Sequence, residues 1–184
     1  GFCIVGEKEG LRRGKAANLD NFWNGQREIK LLDPNLLACQ EWESLLHQLS
    51  ESDARVDFTQ GIDARLITPS KVWALNAVKI KNIHFAWDNI RQSESVLRGL
   101  TLYTRHATQK TKHGHWGTVY VLTNYDTALK EDLHRIYTLR GMGYDPYVMV
   151  YDKYNAPKAT RQVQRWVNNK FIFRTCEKFE DYQG

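Results

Sequence analysis

Polar side chains that could hold a ligand follow several short apolar segments of this sequence. They are Asp33 and Asn35, then Gln60, Asp63 and Arg65, then Asp88 and Asn89, and finally Asn124. Carboxylate and amide oxygens accept hydrogen bonds from hydroxyl and ammonium groups, and an arginine fork clamps a carboxylate through two parallel hydrogen bonds. Each of these residues alone is also a common helix cap or turn residue. Their recurrence after successive apolar segments predicts a binding site for a polar ligand wherever those segments end together.

The three cysteines could offer a second kind of chemistry, because thiolates are soft, negatively charged metal ligands. They are Cys3, Cys39 and Cys176, and their wide spacing indicates neither a disulfide framework nor a shared metal site. Cys39 stands beside Leu36 and Leu37, which predicts a buried small hydrophobic residue. Cys176 lies in a charged segment, which predicts an exposed thiol.

Short apolar runs alternate with helical patterns, and this alternation must place the polar residues. Strands are predicted at residues 29–32, 56–59, 83–87, 118–122 and 147–151. Five helices are predicted: two over residues 36–49 and 93–104, two that begin after the caps Thr68 and Asp126, and one that begins at Pro157. Residues 171–173 are predicted as a short terminal strand or a packing segment. We expect several strands to be buried on both faces, as in parallel α/β folds. A doubly wound sheet and a partial (β/α) barrel both fit, and both gather functional groups at the carboxyl ends of the strands.

Composition limits the class of protein. The 184 residues fit a single domain, and contents of 42% hydrophobic and 12% aromatic residues favour a folded globule. No apolar window is long enough for a membrane span, so no membrane partner is expected. Few, widely spaced cysteines favour the reducing cytoplasm. The net charge of +5, from 26 basic and 21 acidic residues, favours a polyanionic partner only weakly.

The opening segment, Phe2 and Cys3 on a glycine-rich turn, resembles the end of the CxxxCxxC loop of radical S-adenosylmethionine enzymes. Further likeness lies in residues 7–10, 21–24, 31–35, 57–65 and 84–88, so the resemblance covers most of the chain. It is similar in particular to a group of small bacterial and phage proteins known only as Fe-S oxidoreductases. The resemblance implies a six-stranded, partial (β/α) TIM-like barrel, with residues 1–152 as strands two to six. The first strand and two more cysteines are then expected upstream of Gly1, and the chain is a fragment.

The same resemblance implies the cofactors and their contacts. Cys3 is expected as the third thiolate ligand of a 4Fe-4S cluster, whose open iron site chelates S-adenosylmethionine. Asp33 and Asn35 are expected to contact the methionine ammonium group, and Gln60, Asp63 and Arg65 the ribose or the carboxylate. Asp88 and Asn89 are expected to contact ribose hydroxyls or substrate. Asn124 and Tyr125 are expected near the adenine. The implied reaction is reductive cleavage of S-adenosylmethionine to a 5′-deoxyadenosyl radical, which starts radical chemistry on an unknown substrate. A fragment with one cluster ligand is expected to be inactive. Without its first strand, the sheet is expected to have an exposed edge beside residues 29–32, at which copies of the chain can associate into oligomers.

The basic loop over residues 105–116 supports a different hypothesis, a non-catalytic α/β domain that binds nucleic acid. Lys110 and Lys112 could contact phosphates, and Trp116 could stack on a base. A solvated charged loop is the commoner explanation of such a segment. A long loop at a barrel rim could also cover a substrate. The loop histidines do not predict zinc, because no cysteine partners stand at short spacing.

Overall fold

Five parallel strands form one sheet in the computed structural model, which describes residues 14–15, 17–33 and 35–184. The strands are β1 (Glu28–Leu31), β2 (Arg55–Ile62), β3 (Ile80–Ala86), β4 (Thr118–Thr123) and β5 (Asp145–Val150). They lie side by side in chain order, β1-β2-β3-β4-β5, and every neighbouring pair is parallel. Their carboxyl ends therefore meet at one edge of the sheet, as the sequence predicted.

The helices are α1 (Trp42–Glu51), α2 (Pro69–Ala77), α3 (Ser93–His106), α4 (Leu129–Gly141), α5 (Lys158–Asn168) and α6 (Lys170–Thr175). Each of the four strand-to-strand crossovers, which carry α1 to α4, moves to the adjacent strand in the same direction. Since such crossovers are right-handed, these helices are placed on the same face of the sheet. Consecutive helices accordingly pack on one another, α1 on α2 and α2 on α3.

The two faces of the sheet differ in character. On β3, Ile83 and Phe85 are buried against the helices, whereas Asn82 and His84, which alternate with them, are partly exposed. This second face, here called the open face, carries Asp57, Asn82, His84, Tyr120 and Tyr147. The expectation that several strands are buried on both faces is therefore wrong, because polar and apolar residues alternate along these strands.

The α/β class and the parallel sheet are confirmed. A doubly wound sheet reverses its strand order at a switch point, and the five described strands contain no such reversal. Among the described strands the sheet is open, and β1 and β5 are its edges. The outer edge of β5 is covered at Val148 by the side chain of Asn168 from α5. Its Oδ1 accepts from the Val148 N–H at 2.8 Å, and its Nδ2 donates to the Val148 carbonyl at 2.9 Å.

Several local predictions need correction. Residues 36–38 form a 3-10 turn, and α1 begins only at Trp42. Asp126 is no cap, because α4 begins at Leu129; instead Asp126 pairs with Arg91 at 3.5 Å. Residues 171–173 lie in α6 and not in a strand. The Thr68 cap of α2 is confirmed, with the Lys71 N–H donating to its hydroxyl oxygen at 3.3 Å.

Apolar packing falls into two clusters. The larger lies between β1–β4 and helices α1–α3, and it includes Phe85 and Trp87. The smaller lies between α4, β5, α5 and α6, around the fully buried Trp166. No helix of the described residues is long and apolar enough to cross a membrane.

Candidate functional site

The turn after β2 orients an arginine at the carboxyl ends of the strands. Asp63 Oδ1 accepts from the Arg65 backbone N–H at 3.0 Å, and both carboxylate oxygens bind the guanidinium, at 2.8 Å from Nε and 2.6 Å from Nη2. This double pairing with Asp63 raises the pKa of Arg65. Gly99 of α3 allows the turn to sit close to the helix, because a Cβ there would lie 1.8 Å from the Ala64 carbonyl oxygen. The Arg65 fork is therefore held in place from two sides.

Asp88 follows β3 and lies near that arginine. Burial is the largest influence on its carboxyl group and raises its pKa. A backbone hydrogen bond from Leu122 and the positive charges of Arg135 and Arg65 act in the opposite direction and do not cancel it. A carboxyl group whose pKa is raised by burial at the end of a parallel sheet is a candidate functional group.

A buried ion pair from α4 fixes the ends of β3 and β4. Arg135 is fully buried and donates to the carbonyls of Trp87 and Leu122 at 2.6 and 2.7 Å and to Asp132 Oδ1 at 2.6 Å. Asp132 also accepts from Thr127 Oγ1 at 2.7 Å, and burial raises its pKa against these contacts. The sequence interpretation missed this pair, although two charged residues three apart on an apolar helix face are a usable signal.

The structure brings Asp63, Arg65 and Asp88 together, but not the whole predicted set. Within residues 14–15, 17–33 and 35–184, no hydrogen bond or ion pair joins these three to the other five candidates selected in the sequence. Those five are Asp33, Asn35, Gln60, Asn89 and Asn124. Gln60 was expected after the second strand, but it lies exposed inside β2, where the register shifts against β3.

Two asparagines at this edge serve local structure. Asn124 has a left-handed backbone (φ 64°), and its Nδ2 donates to the Tyr151 carbonyl at 3.0 Å, which ties the end of β4 to the end of β5. Asn89 Oδ1 caps the following turn by accepting from the Arg91 N–H at 2.9 Å. Asn35 differs from both, since its buried Oδ1 has no hydrogen-bond partner in the described part of the chain.

The cysteines need a partial correction. Cys3 lies outside the described residues. Cys39 is half-buried in the turn before α1, not on an apolar helix face, and burial followed by its hydrogen bond to Glu41 raises the pKa of its thiol. Cys176 is half-buried as well and packs against the smaller apolar cluster, so it is not the exposed thiol that was predicted. Within the described residues no three side chains of the His, Cys, Asp and Glu types are grouped to hold a metal ion.

The basic loop occupies the opposite end of the sheet. Arg105 and His106 end α3, and the loop then leads into β4, so it lies at the amino ends of the strands and cannot cover the carboxyl ends. Trp116 is half-buried, with Lys110 Nζ 4.5 Å from its ring centroid and Gly143 close to its edge. An indole held in this way is a poor platform for a base, so the geometry does not favour the nucleic-acid hypothesis.

The open face carries polar groups that the sequence interpretation did not select. Asp57 Oδ2 accepts from Asn82 Nδ2 at 2.9 Å, and its Oδ1 lies 4.0 Å from His84 Nδ1. His84 stacks on Tyr120, and burial raises the pKa of the Tyr120 hydroxyl. The available signal was the period-two alternation of Asn82 and His84 with apolar residues along β3.

Comparisons with family models, with curated proteins and with solved structures find no match to this chain. Its function therefore has to be argued from the site itself.

Proposed function

We propose that this chain belongs to a radical S-adenosylmethionine enzyme of partial (β/α) barrel form, acting on a substrate still to be identified. The observation that carries the proposal is the sheet itself: five parallel strands in chain order, open on one face, with Asp63, Arg65 and Asp88 gathered at their carboxyl ends. This is the edge at which barrels of parallel strands bind their ligands. The Cys3 segment supplies the chemical part of the proposal.

The described residues fit S-adenosylmethionine as a ligand. Arg65 is half-exposed and has further donors beyond those that Asp63 uses, so it can bind the methionine carboxylate. Asn35 Oδ1 is a buried acceptor without a partner in the described part of the chain, and an ammonium group would satisfy it. Asp88 can accept from a ribose hydroxyl. When bound, the cluster and S-adenosylmethionine would supply one-electron reduction and a radical able to abstract hydrogen.

The chain's own contribution is binding and orientation. Asp63 holds the Arg65 fork in one orientation, and Gly99 allows α3 to support that turn directly. Arg135 fixes the carbonyls at the ends of β3 and β4, which keeps Asp88 in place between them. A ligand at this edge would find these groups already oriented, which lowers the entropic cost of binding.

Anaerobic iron–sulfide reconstitution tests the cluster, using the protein together with any residues that precede Gly1. The readouts are iron content and the electron paramagnetic resonance signal with and without S-adenosylmethionine. We expect a reducible cluster that is lost in Cys3→Ala and retained in Cys39→Ala, the matched control whose thiol has a raised pKa. A cluster that survives Cys3→Ala, or none in any of the three proteins, would refute the proposal.

Binding of S-adenosylmethionine to the reconstituted protein tests the carboxyl-end site. Arg65→Gln is expected to weaken binding about tenfold or more, because a charge-assisted contact to a carboxylate is lost. Arg55→Gln is the matched control. Arg55 lies at the amino end of β2, the strand that precedes the Arg65 turn, and pairs with Glu28 at 2.5 Å. Equal effects of the two substitutions would exclude a specific role for Arg65.

A further inference from the structure

The positive charge of the chain is concentrated in one segment, residues 153–176. This segment contains six basic residues and no acidic residue. The whole chain has 26 basic and 21 acidic residues, so these six account for its entire positive surplus. They are Lys153, Lys158, Arg161, Arg165, Lys170 and Arg174. A charge asymmetry of this kind along a chain indicates a polyanionic partner.

Helix α5 places three of these residues on one exposed face, here called the basic stripe. Lys158, Arg161 and Arg165 follow one another at spacings of three and four residues, so they line one side of the helix over about 10 Å. The opposite side of α5 is buried in the smaller apolar cluster through Val163 and Trp166. The packing of α5 therefore turns the whole basic stripe toward solvent.

No acidic residue neutralises the basic stripe. Within the part of the chain that the structure describes, none of the salt bridges involves it, whereas Lys170 pairs with Asp145 at 2.9 Å. The acidic residues that follow the segment lie beside Tyr137 and Arg140 of α4; they are Glu177, Glu180 and Asp181. Lys158 even opposes the helix dipole, because it begins α5 and the first turn has no acidic residue. The stripe therefore does not serve the stability of its own helix.

An almost fully exposed tyrosine precedes the stripe. Tyr154 is 95% exposed and stands next to Lys153 in the loop between β5 and α5. The loop has a defined turn, since the Asn155 N–H donates to the Asp152 carbonyl at 3.1 Å and Asn155 Nδ2 to the Asp152 carboxylate at 2.9 Å. A ring this exposed gains little from burial, but beside basic groups it can stack on an unpaired base.

We propose that the basic stripe, together with Lys153 and Tyr154, binds single-stranded nucleic acid. The four basic side chains would contact phosphates, and a base would stack on the tyrosine ring. Unpaired bases favour a single strand, because the bases of a duplex are already stacked on one another. This surface begins beyond the carboxyl end of β5, whereas the basic loop over residues 105–116 lies at the amino ends of the strands. The inference does not require the cofactor chemistry proposed above.

Fluorescence anisotropy with a labelled single strand of about 12 nucleotides tests this proposal on the full chain. Each phosphate contact on a single strand contributes about −0.7 to the slope of log K against log salt concentration, so four contacts predict a slope of about −3. The competing ligands are the duplex of the same sequence and vesicles of phosphatidylserine and phosphatidylcholine. We expect the single strand to bind about fivefold more tightly than the duplex, because only unpaired bases can stack on Tyr154, and we expect no binding to the vesicles.

Two charge variants of equal size separate the stripe from net charge. The stripe variant combines Lys158→Gln, Arg161→Gln and Arg165→Gln, and it should reduce the magnitude of the salt slope by about 2. The loop variant, its matched control, should leave affinity and slope nearly unchanged; it combines Arg105→Gln, Lys110→Gln and Lys112→Gln. All six side chains are exposed, so thermal melts of both variants should match that of the parent chain.

Tyr154→Ala isolates the stacking contribution. It should weaken single-strand binding about fivefold or more at every salt concentration and leave the slope unchanged, because no charge is removed. Duplex binding should be unaffected by this substitution.

Four results would overturn the inference. They are equal losses in the stripe and loop variants, a duplex that binds as tightly as the single strand, no change in anisotropy at low salt, and binding to the vesicles in place of the single strand. The last result would assign the stripe to an anionic lipid surface. The comparison of ligands uses the unaltered chain, so it stands whatever the variants do.

Discussion

Replacing Arg135 by methionine should destabilise the fold strongly, because the guanidinium satisfies three buried acceptors at once. The Trp87 and Leu122 carbonyls and the Asp132 carboxylate lie 2.6 to 2.7 Å from its nitrogens, and the arginine side chain is fully buried. Methionine fills most of the volume but leaves an unpaired buried carboxylate. Removing one partner of a buried pair costs about 3–5 kcal/mol, so we expect a loss of that size in the free energy of unfolding.

Urea denaturation of a double-mutant cycle gives the assay. Asp132→Leu alone leaves Arg135 as an unpaired buried cation, and the double substitution removes both charges. The double variant should therefore be more stable than the sum of the single losses predicts, with a coupling energy of about 1–3 kcal/mol. Additive losses, or a single-site cost below about 1 kcal/mol, would show that the buried pair does not fix the ends of β3 and β4.

Three further predictions concern the same scaffold. Burial raises the pKa of Asp88, so the folded chain holds that proton more tightly than the unfolded chain, and stability falls as pH rises from about 3.9 through the raised value. In thermal melts Asp88→Asn should remove this part of the pH dependence, and an unchanged slope would contradict it. Gly99→Ala should cost about 3 kcal/mol in urea denaturation, because its Cβ meets the Ala64 carbonyl, and a neutral effect would mean that α3 is free to move away. Asn168→Ala should cost about 1–3 kcal/mol and expose the β5 edge at Val148, so sedimentation velocity should detect concentration-dependent association absent from the parent chain.

The strands could be predicted because their signals are local. Each contains a short apolar segment followed by turn residues, and all five were placed within a few residues of their bounds. Helix starts were less accurate where capping was ambiguous. Thr68 followed by proline was decisive, whereas Asp126 looked equally good as a cap and instead pairs with Arg91.

The candidate site was only partly predictable, because its contacts join residues far apart in sequence. Asp63 and Arg65 are neighbours whose pairing is local, but the approach of Arg135 to Trp87 and Leu122 depends on how α4 packs under two strands. Which face stays open follows from the order of the strands, and periodicity does not give that order. The open-face cluster was missed for this reason.

The distribution of buried polar groups is a further structural argument for function at the carboxyl ends. The amino ends carry exposed ion pairs, which contribute little stability; they are Arg55 with Glu28, Lys81 with Glu28, and Lys79 with Asp53. The carboxyl ends instead hold a fully buried arginine, the Asp88 carboxyl with its raised pKa, and three buried atoms without partners in the described part of the chain, Asn35 Oδ1, Trp87 Nε1 and Arg135 Nε. Apolar residues at each of these positions would cost less free energy of folding than the buried polar groups do. Arg135 has a structural role in holding the ends of β3 and β4, but buried polar atoms without partners at one end of a sheet are expected where a ligand supplies the missing partners.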